Sequence, residues 1–199
     1  MRKLLTLVLG ACWGLAGLHA QQSAQYTLHM LSPYYWNSGA AAIDQDLSLT
    51  ASVRQQWGGL PGAPMTQFAL LQVPLPQFRA AFGVKFENDE LGAQRNSNLM
   101  ATYNYQLELG SGILGLGASA GFTQYGLDGS QLRTPGGAYQ DILINHNDDI
   151  LSAGAMSGLA PTFDVGAYYQ SEKWSFGVAM RNLTSASIQL SEFELQTTR

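Results

Sequence analysis

The sequence predicts an all-β chain folded as an antiparallel transmembrane β-barrel of the outer-membrane type. Three observations carry that expectation. Seven stretches read as strands, and all but the second alternate apolar and polar residues at period two, the mark of a strand with two unlike faces. Charged residues make up 12% of the 199, against about 25% in a typical soluble domain. Tight and long connections between the stretches take turns, as in barrels with short periplasmic turns and longer extracellular loops. Alternation alone leaves open whether the apolar face meets a protein core or lipid. The low charge and the loop asymmetry favour lipid.

The first twenty residues stand outside the fold. "MRKLLTLVLGACWGLAGLHA" has a basic start at Arg2 and Lys3, an apolar run and a small residue, Ala20, before polar "QQSAQ". That is the layout of a cleavable secretory signal peptide. "LGAC", Leu9 to Cys12, also fits a lipoprotein cleavage box, but cutting there would leave "WGLAGL" on the mature chain. Cys12 is the single cysteine, so the mature chain can build neither a disulfide nor a thiolate metal site. No later stretch approaches 18 consecutive apolar residues, the length that would suggest a membrane-spanning helix. A net charge of −4 argues against a nucleic-acid partner, which calls for a basic stripe.

Residues 21–45 show no clear period. Within them Tyr34, Tyr35 and Trp36 form an aromatic cluster that suits either a membrane interface or a segment folded inward and packed in a lumen. The barrel is then expected over 46–199. Its first strand, 46–57, sets Leu47, Leu49, Ala51 and Val53 toward lipid and Ser48, Thr50, Ser52 and Arg54 toward the lumen, with Trp57 at the outer end, where an aromatic girdle belongs. The second, 65–74, is apolar on both faces. The third, 79–87, opposes Phe82, Val84 and Phe86 to Gly83, Lys85 and Glu87.

The fourth, 96–109, is the cleanest, with Leu99, Ala101, Tyr103, Tyr105, Leu107 and Leu109 against Asn98, Thr102, Asn104, Gln106 and Glu108. The fifth, 113–127, continues with small residues: Leu116, Ala118 and Ala120 oppose Gly117, Ser119 and Gly121. The sixth, 162–171, and seventh, 173–182, place Asp164 and Arg181 on their polar faces. Arg54, Lys85, Glu108, Asp164 and Arg181 would thus point into the lumen and pair or set an ion preference. "LPQF", "GSG" and "SEK" make the tight connections. "GGLPGAP", "NDELGAQR" and the loop 128–161 make the long ones. After Asn182 the alternation weakens.

Three short motifs imitate chemistry. "GSGILG", Gly110 to Gly115, fits a dinucleotide loop but leads into period two and not into the helix that chemistry needs. A hairpin turn explains it. "GASAG", Gly117 to Gly121, fits a nucleophile elbow, yet Ser119 lies in mid-strand and the mature chain offers only His29 and His146 as partners. A small residue lining a narrow interior is the plainer reading. "NHNDD", Asn145 to Asp149, alternates oxygen ligands but lacks the glycine and distal Glu of a calcium loop. No catalytic, cofactor or metal residue is therefore expected, and no enzyme.

Read in order, "YTLHMLSPYYWNSGAAA", "SVRQQWGGLPGAPMTQ" and "FENDELGAQR" resemble the opening blocks of the PorP/SprF family. Arg54, Gln56, Trp57, Gly62, Pro64, Asn88, Asp89 and Gly92 carry most of the likeness, with Ala63 and Thr66 beside them; "PTFDVGAYY", Pro161 to Tyr169, agrees more weakly. The resemblance implies an outer-membrane protein of Bacteroidetes serving type IX secretion and gliding motility. It implies no cofactor. Expected partners are outer-membrane lipid, other secretion components and a secreted cargo or adhesin, with docking through extracellular loops or periplasmic turns and the long 128–161 loop as the expected contact. The alternative with the same fold is a passive or hydrophobic-solute channel. An outer-membrane enzyme acting on lipid and a soluble secreted β-sandwich are further rivals. Family members are longer, and seven strands is an odd number where bacterial single-chain barrels have even ones. The chain is accordingly expected to be a truncated barrel, or else to close with an eighth strand in 186–197.

Overall fold

The computed structural model describes residues 32–140, 143–147, 153–184 and 191–192; the expected signal peptide lies outside them, as does most of 186–197. Within these bounds a short helix α1 (Pro33–Trp36) and a 3₁₀ turn (Ser38–Ala40) precede the strands β1 (Ser48–Gln55), β2 (Met65–Leu75), β3 (Ala80–Leu91), β4 (Gln94–Leu109) and β5 (Gly112–Asp128). A small hairpin, β6 (Ala138–Gln140) and β7 (Leu143–Asn145), follows. Then come β8 (Ala155–Ser171), β9 (Ser175–Met180) and β10 (Ser191–Glu192).

The sheet is an antiparallel meander in the order β1-β2-β3-β4-β5-β8, with β9 and β10 both along the far edge of β8. Among the described residues β1 and β9 do not pair, so the sheet is an open half-barrel. The all-β barrel expectation holds, in incomplete form. No helix among the described residues is long and apolar enough to cross a membrane.

Period two dictates the two faces. Leu49, Val53, Phe86, Leu99, Tyr103, Phe122, Phe163 and Val178 all stand exposed on the outer face. Apolar patches beyond a few hundred Å² are rare on soluble monomers. An outward apolar face of this kind is the one a transmembrane barrel turns to lipid. Strands β4, β5 and β8, of 16, 17 and 17 residues, exceed the roughly nine to eleven that a tilted strand needs to cross. The sheet therefore projects beyond the hydrocarbon at one end or both.

Two expected boundaries change. "NDELGAQR" is not a long connection: β3 continues to Leu91, β4 starts at Gln94, and Gly92 (φ +57) with Ala93 makes the turn. Past the membrane both faces of a strand can be polar, so polarity there marks a projecting hairpin and not a loop. The loop expected over 128–161 is shorter, because β8 begins at Ala155 and pairs with Asp128. The asymmetry between the ends survives through two segments, 56–64 and 129–154, against 76–79, 110–111 and 172–174 at the other end.

The weakening after Asn182 also has a structural cause. Met180 pairs with Val165 and Ser191 with Ser157, so one side advances eleven residues while β8 advances eight. The break starts at Asn182, whose φ is +54 and whose N–H turns to the Asp164 carboxylate at 2.9 Å. Residues 191–192 thus continue along the edge that β9 opens and do not pair with β1. This part of the range expected to close the barrel does not close it.

Candidate functional site: the lumenal face and the rim

The concave face is covered by the chain's own residues 33–43. Tyr34 and Tyr35 are buried, with Ala41 and Leu70 completing an apolar cluster and Trp36 and Phe68 packed against it. Tyr35 meets Trp36 edge-on at 4.8 Å and Phe68 at 5.0 Å between ring centroids. Of the two environments the aromatic cluster suits, the structure selects the lumen. It also explains why β2 reads as apolar on both faces: its inward Phe68 and Leu70 serve this segment.

Polar inward side chains fasten the segment, since its backbone joins no sheet and buried N–H and C=O groups need partners. The Tyr34 hydroxyl donates to Thr102 Oγ1 at 2.8 Å. The hydroxyls of Ser38 and Ser119 lie 2.6 Å apart, and Ser119 is 2.7 Å from Thr102. Asn104 Nδ2 donates to the carbonyls of Gly39 and Ala41 at 3.0 and 2.8 Å. Gln106 Nε2 donates to those of Ala41 and Ala42, and Gln72 Oε1 accepts from the Ala42 N–H at 2.9 Å. From the segment's side, Asn37 Nδ2 reaches the carbonyls of Ala167 and Val178, at 2.9 and 3.3 Å, while its Oδ1 accepts from the Gly39 N–H.

The floor beneath is glycine. A Cβ on Gly117 would overlap the Ser38 carbonyl, one on Gly115 the Gly39 carbonyl, and one on Gly166 the Asn37 side chain. On β3 a Cβ at Gly83 would strike the Tyr34 ring. "GASAG" is thereby accounted for: Ser119 sits in mid-strand as a hydroxyl contact for Ser38. "GSGILG" is a hairpin turn, with Gly110 at φ +61.

Above this layer Lys85 Nζ and Asp164 Oδ2 form an ion pair at 3.1 Å, each side chain 4% exposed. Arg181 Nε stands 3.9 Å from the same oxygen, and its guanidinium lies over the Tyr35 and Trp36 rings. Three of the five charges expected to face the lumen therefore converge. Arg54 points inward near the open edge, half-buried, whereas Glu108 is exposed beside the 110–111 turn.

The eight family-motif residues gather at the opposite end, where the longer connections lie. Arg54 is in register with Thr66, whose hydroxyl donates to Asp89 Oδ1 at 2.6 Å. The Gln56 N–H bonds the Pro64 carbonyl at 2.9 Å and closes the 56–64 loop. Gly62 and Gly92 touch across two loops: the Gly92 N–H donates to the Gly62 carbonyl at 3.1 Å. A Cβ on Gly62 (φ +73) would lie a tight 3.1 Å from the Gly92 Cα, at a backbone angle that side chains rarely adopt. Asn88 accepts from Ser97 and donates to Glu90. Trp57 (φ +51) and Leu60 project from the loop, about two-thirds exposed at 68% and 62%.

This rim continues into the 129–154 segment. The Asp128 N–H bonds the Ala93 carbonyl, and the Gly129 N–H the Gly154 carbonyl. The Asp128 carboxylate caps the next turn through Ser130 and Gln131. Beyond it His146 is buried, with Nδ1 3.1 Å from the Tyr139 hydroxyl, and Arg133 stacks on the Tyr139 ring. Asp148 and Asp149 of "NHNDD" lie outside the described residues. Among the described residues no group of His, Cys, Asp and Glu is placed to hold a metal ion.

Sequence reasoning found the rim residues and the lumenal charges but missed the side chains that hold the inner segment. Their one signal was small and amide residues, Gly115, Gly117, Asn104 and Gln106, on a face expected only to be polar.

An apolar outer face, a polar inner face and tight meander turns define a membrane protein of the β-barrel class. Residues 18–199 match the family described as type IX secretion system membrane protein PorP/SprF, and the chain belongs to that family. Neither the curated proteins nor the solved structures contain a significant match.

Proposed function

We propose that this protein sits in the outer membrane, after export by a cleaved signal peptide, and helps type IX secretion deliver or attach cargo at the cell surface by docking, without catalysis. One observation carries the reading: the eight family-motif residues, dispersed from Arg54 to Gly92, come together on one rim. That rim presents Trp57 and Leu60 to solvent. Exposed aromatic and aliphatic groups over a hydrogen-bonded base suit an interface anchor. The longer loops at this end support an extracellular rim. In a gliding organism the same docking would serve a surface adhesin.

The test is cargo display. A strain carrying Trp57→Ala with Leu60→Ala as its sole copy is compared with the parent and a deletion strain by surface proteolysis and fractionation. Deletion is expected to trap cargo, and the paired rim variant to cut display several-fold while its barrel stays in the outer-membrane fraction. Normal cargo display in the deletion strain would refute the role. Normal display in the rim variant alone would move the docking surface elsewhere.

A further inference from the structure

The covered concave face bears on what the barrel does with its interior. Four glycines on three strands, Gly83, Gly115, Gly117 and Gly166, are cut back where residues 34–39 lie. The inward amides of Asn104 and Gln106 spend their donors on segment carbonyls. Neither feature is needed by a water-filled pore, whose lining would keep such groups for solvent or solute. Both are what a groove needs if it is to accept a backbone at close range.

The segment's termination is equally fixed. Asp44 is bonded by Gln170, and Gln45 bonds Gln106, close to the 110–111 and 172–174 turns. The chain enters β1 directly from there, so the segment is anchored at its lower end by the barrel wall itself. Its upper end meets the Lys85–Asp164–Arg181 group through the cation–ring contacts of Tyr35 and Trp36.

We propose that residues 33–43 are a resident plug, held in a groove shaped to this one segment, which fills the inner face of the wall and stays seated there in the working protein. The wall then serves as a platform around a fixed insert and not as the lining of a pore. Partners engage its ends, and the interior serves to keep wall and plug in one arrangement. This stands apart from the docking assignment: a plugged barrel with no part in cargo display would leave it intact.

Thiol accessibility tests it in membranes. In a Cys12→Ser background, Ser38→Cys is treated with a membrane-impermeant maleimide beside Leu60→Cys on the rim. Ser38→Cys is expected to react at least about tenfold more slowly, its exposure waiting on local opening. Adding Gly117→Leu should bring its rate to that of the rim. Because a bulky wall residue can block folding, Asn104→Ala with Gln106→Ala is the second release variant, removing donors without adding volume. The proposal is overturned if Ser38→Cys in the parent reacts at the rim rate, or if both release variants stay protected.

Discussion

Asp164→Ala is expected to be the most damaging single truncation on the lumenal face. Its carboxylate receives Lys85 at 3.1 Å, the Asn182 N–H at 2.9 Å and Arg181 at 3.9 Å. Truncation leaves two like charges facing one another and an N–H without its acceptor. Lys85 is nearly as inaccessible as Asp164, so water cannot readily replace the lost partner. Breaking a buried pair in this way costs about 3–5 kcal/mol, roughly a hundredfold to a few thousandfold in the folding equilibrium. Lys85→Met should cost less, because Asp164 keeps Arg181 and the Asn182 N–H and the group becomes neutral. Urea unfolding of the vesicle-embedded protein, followed by tryptophan fluorescence, measures both. A loss below about 1 kcal/mol for Asp164→Ala, the range of solvated surface pairs, would refute the buried-pair reasoning, as would Lys85→Met proving the worse of the two.

Other changes follow from the same geometry. Tyr34→Phe removes the bond to Thr102 and is expected to lower stability by about 1 kcal/mol, measured in the same titration. Ala120→Arg, mid-way along β5 on the outer face, should cost about 2–4 kcal/mol if that face meets lipid; Gln94→Arg at the projecting rim should cost almost nothing, and equal effects would place the face in water. Ser38→Cys with Ser119→Cys, whose parent hydroxyls lie 2.6 Å apart, should form a disulfide on mild oxidation. Gel mobility before and after reduction reports it.

Much of the wall was legible because a strand between two solvents writes its environment at every second residue. Leu49, Leu99, Phe122 and Phe163 face outward as their spacing requires, and Lys85 and Asp164 face inward. Where the strands leave the membrane that contrast disappears. Asn88 to Leu91 and Gln94 to Arg95 then resemble a loop although their ladder is continuous. The plug was legible only as one of two settings for its aromatic cluster, and for a different reason. Its backbone is satisfied by side chains of distant strands, and such bonds impose no period on the segment's own residues. The motif residues were found by likeness, but their assembly on one rim depends on the Gly62–Gly92 contact between loops, which no local pattern encodes.

Asn37 bonds the carbonyls of Ala167 and Val178, 130 and 141 residues further along the chain. Those bonds cannot form until β8 and β9 have been laid down beside β5. An early-synthesised stretch therefore completes its contacts only with the later-made wall, and the sheet must curl around a cargo of its own sequence. Closing loops of such length before any contact rewards them slows folding. Assembly of this protein is thus ordered in time against the direction of the chain, and the interval before the plug is seated is when the nascent sheet most needs a chaperone or an insertion machine.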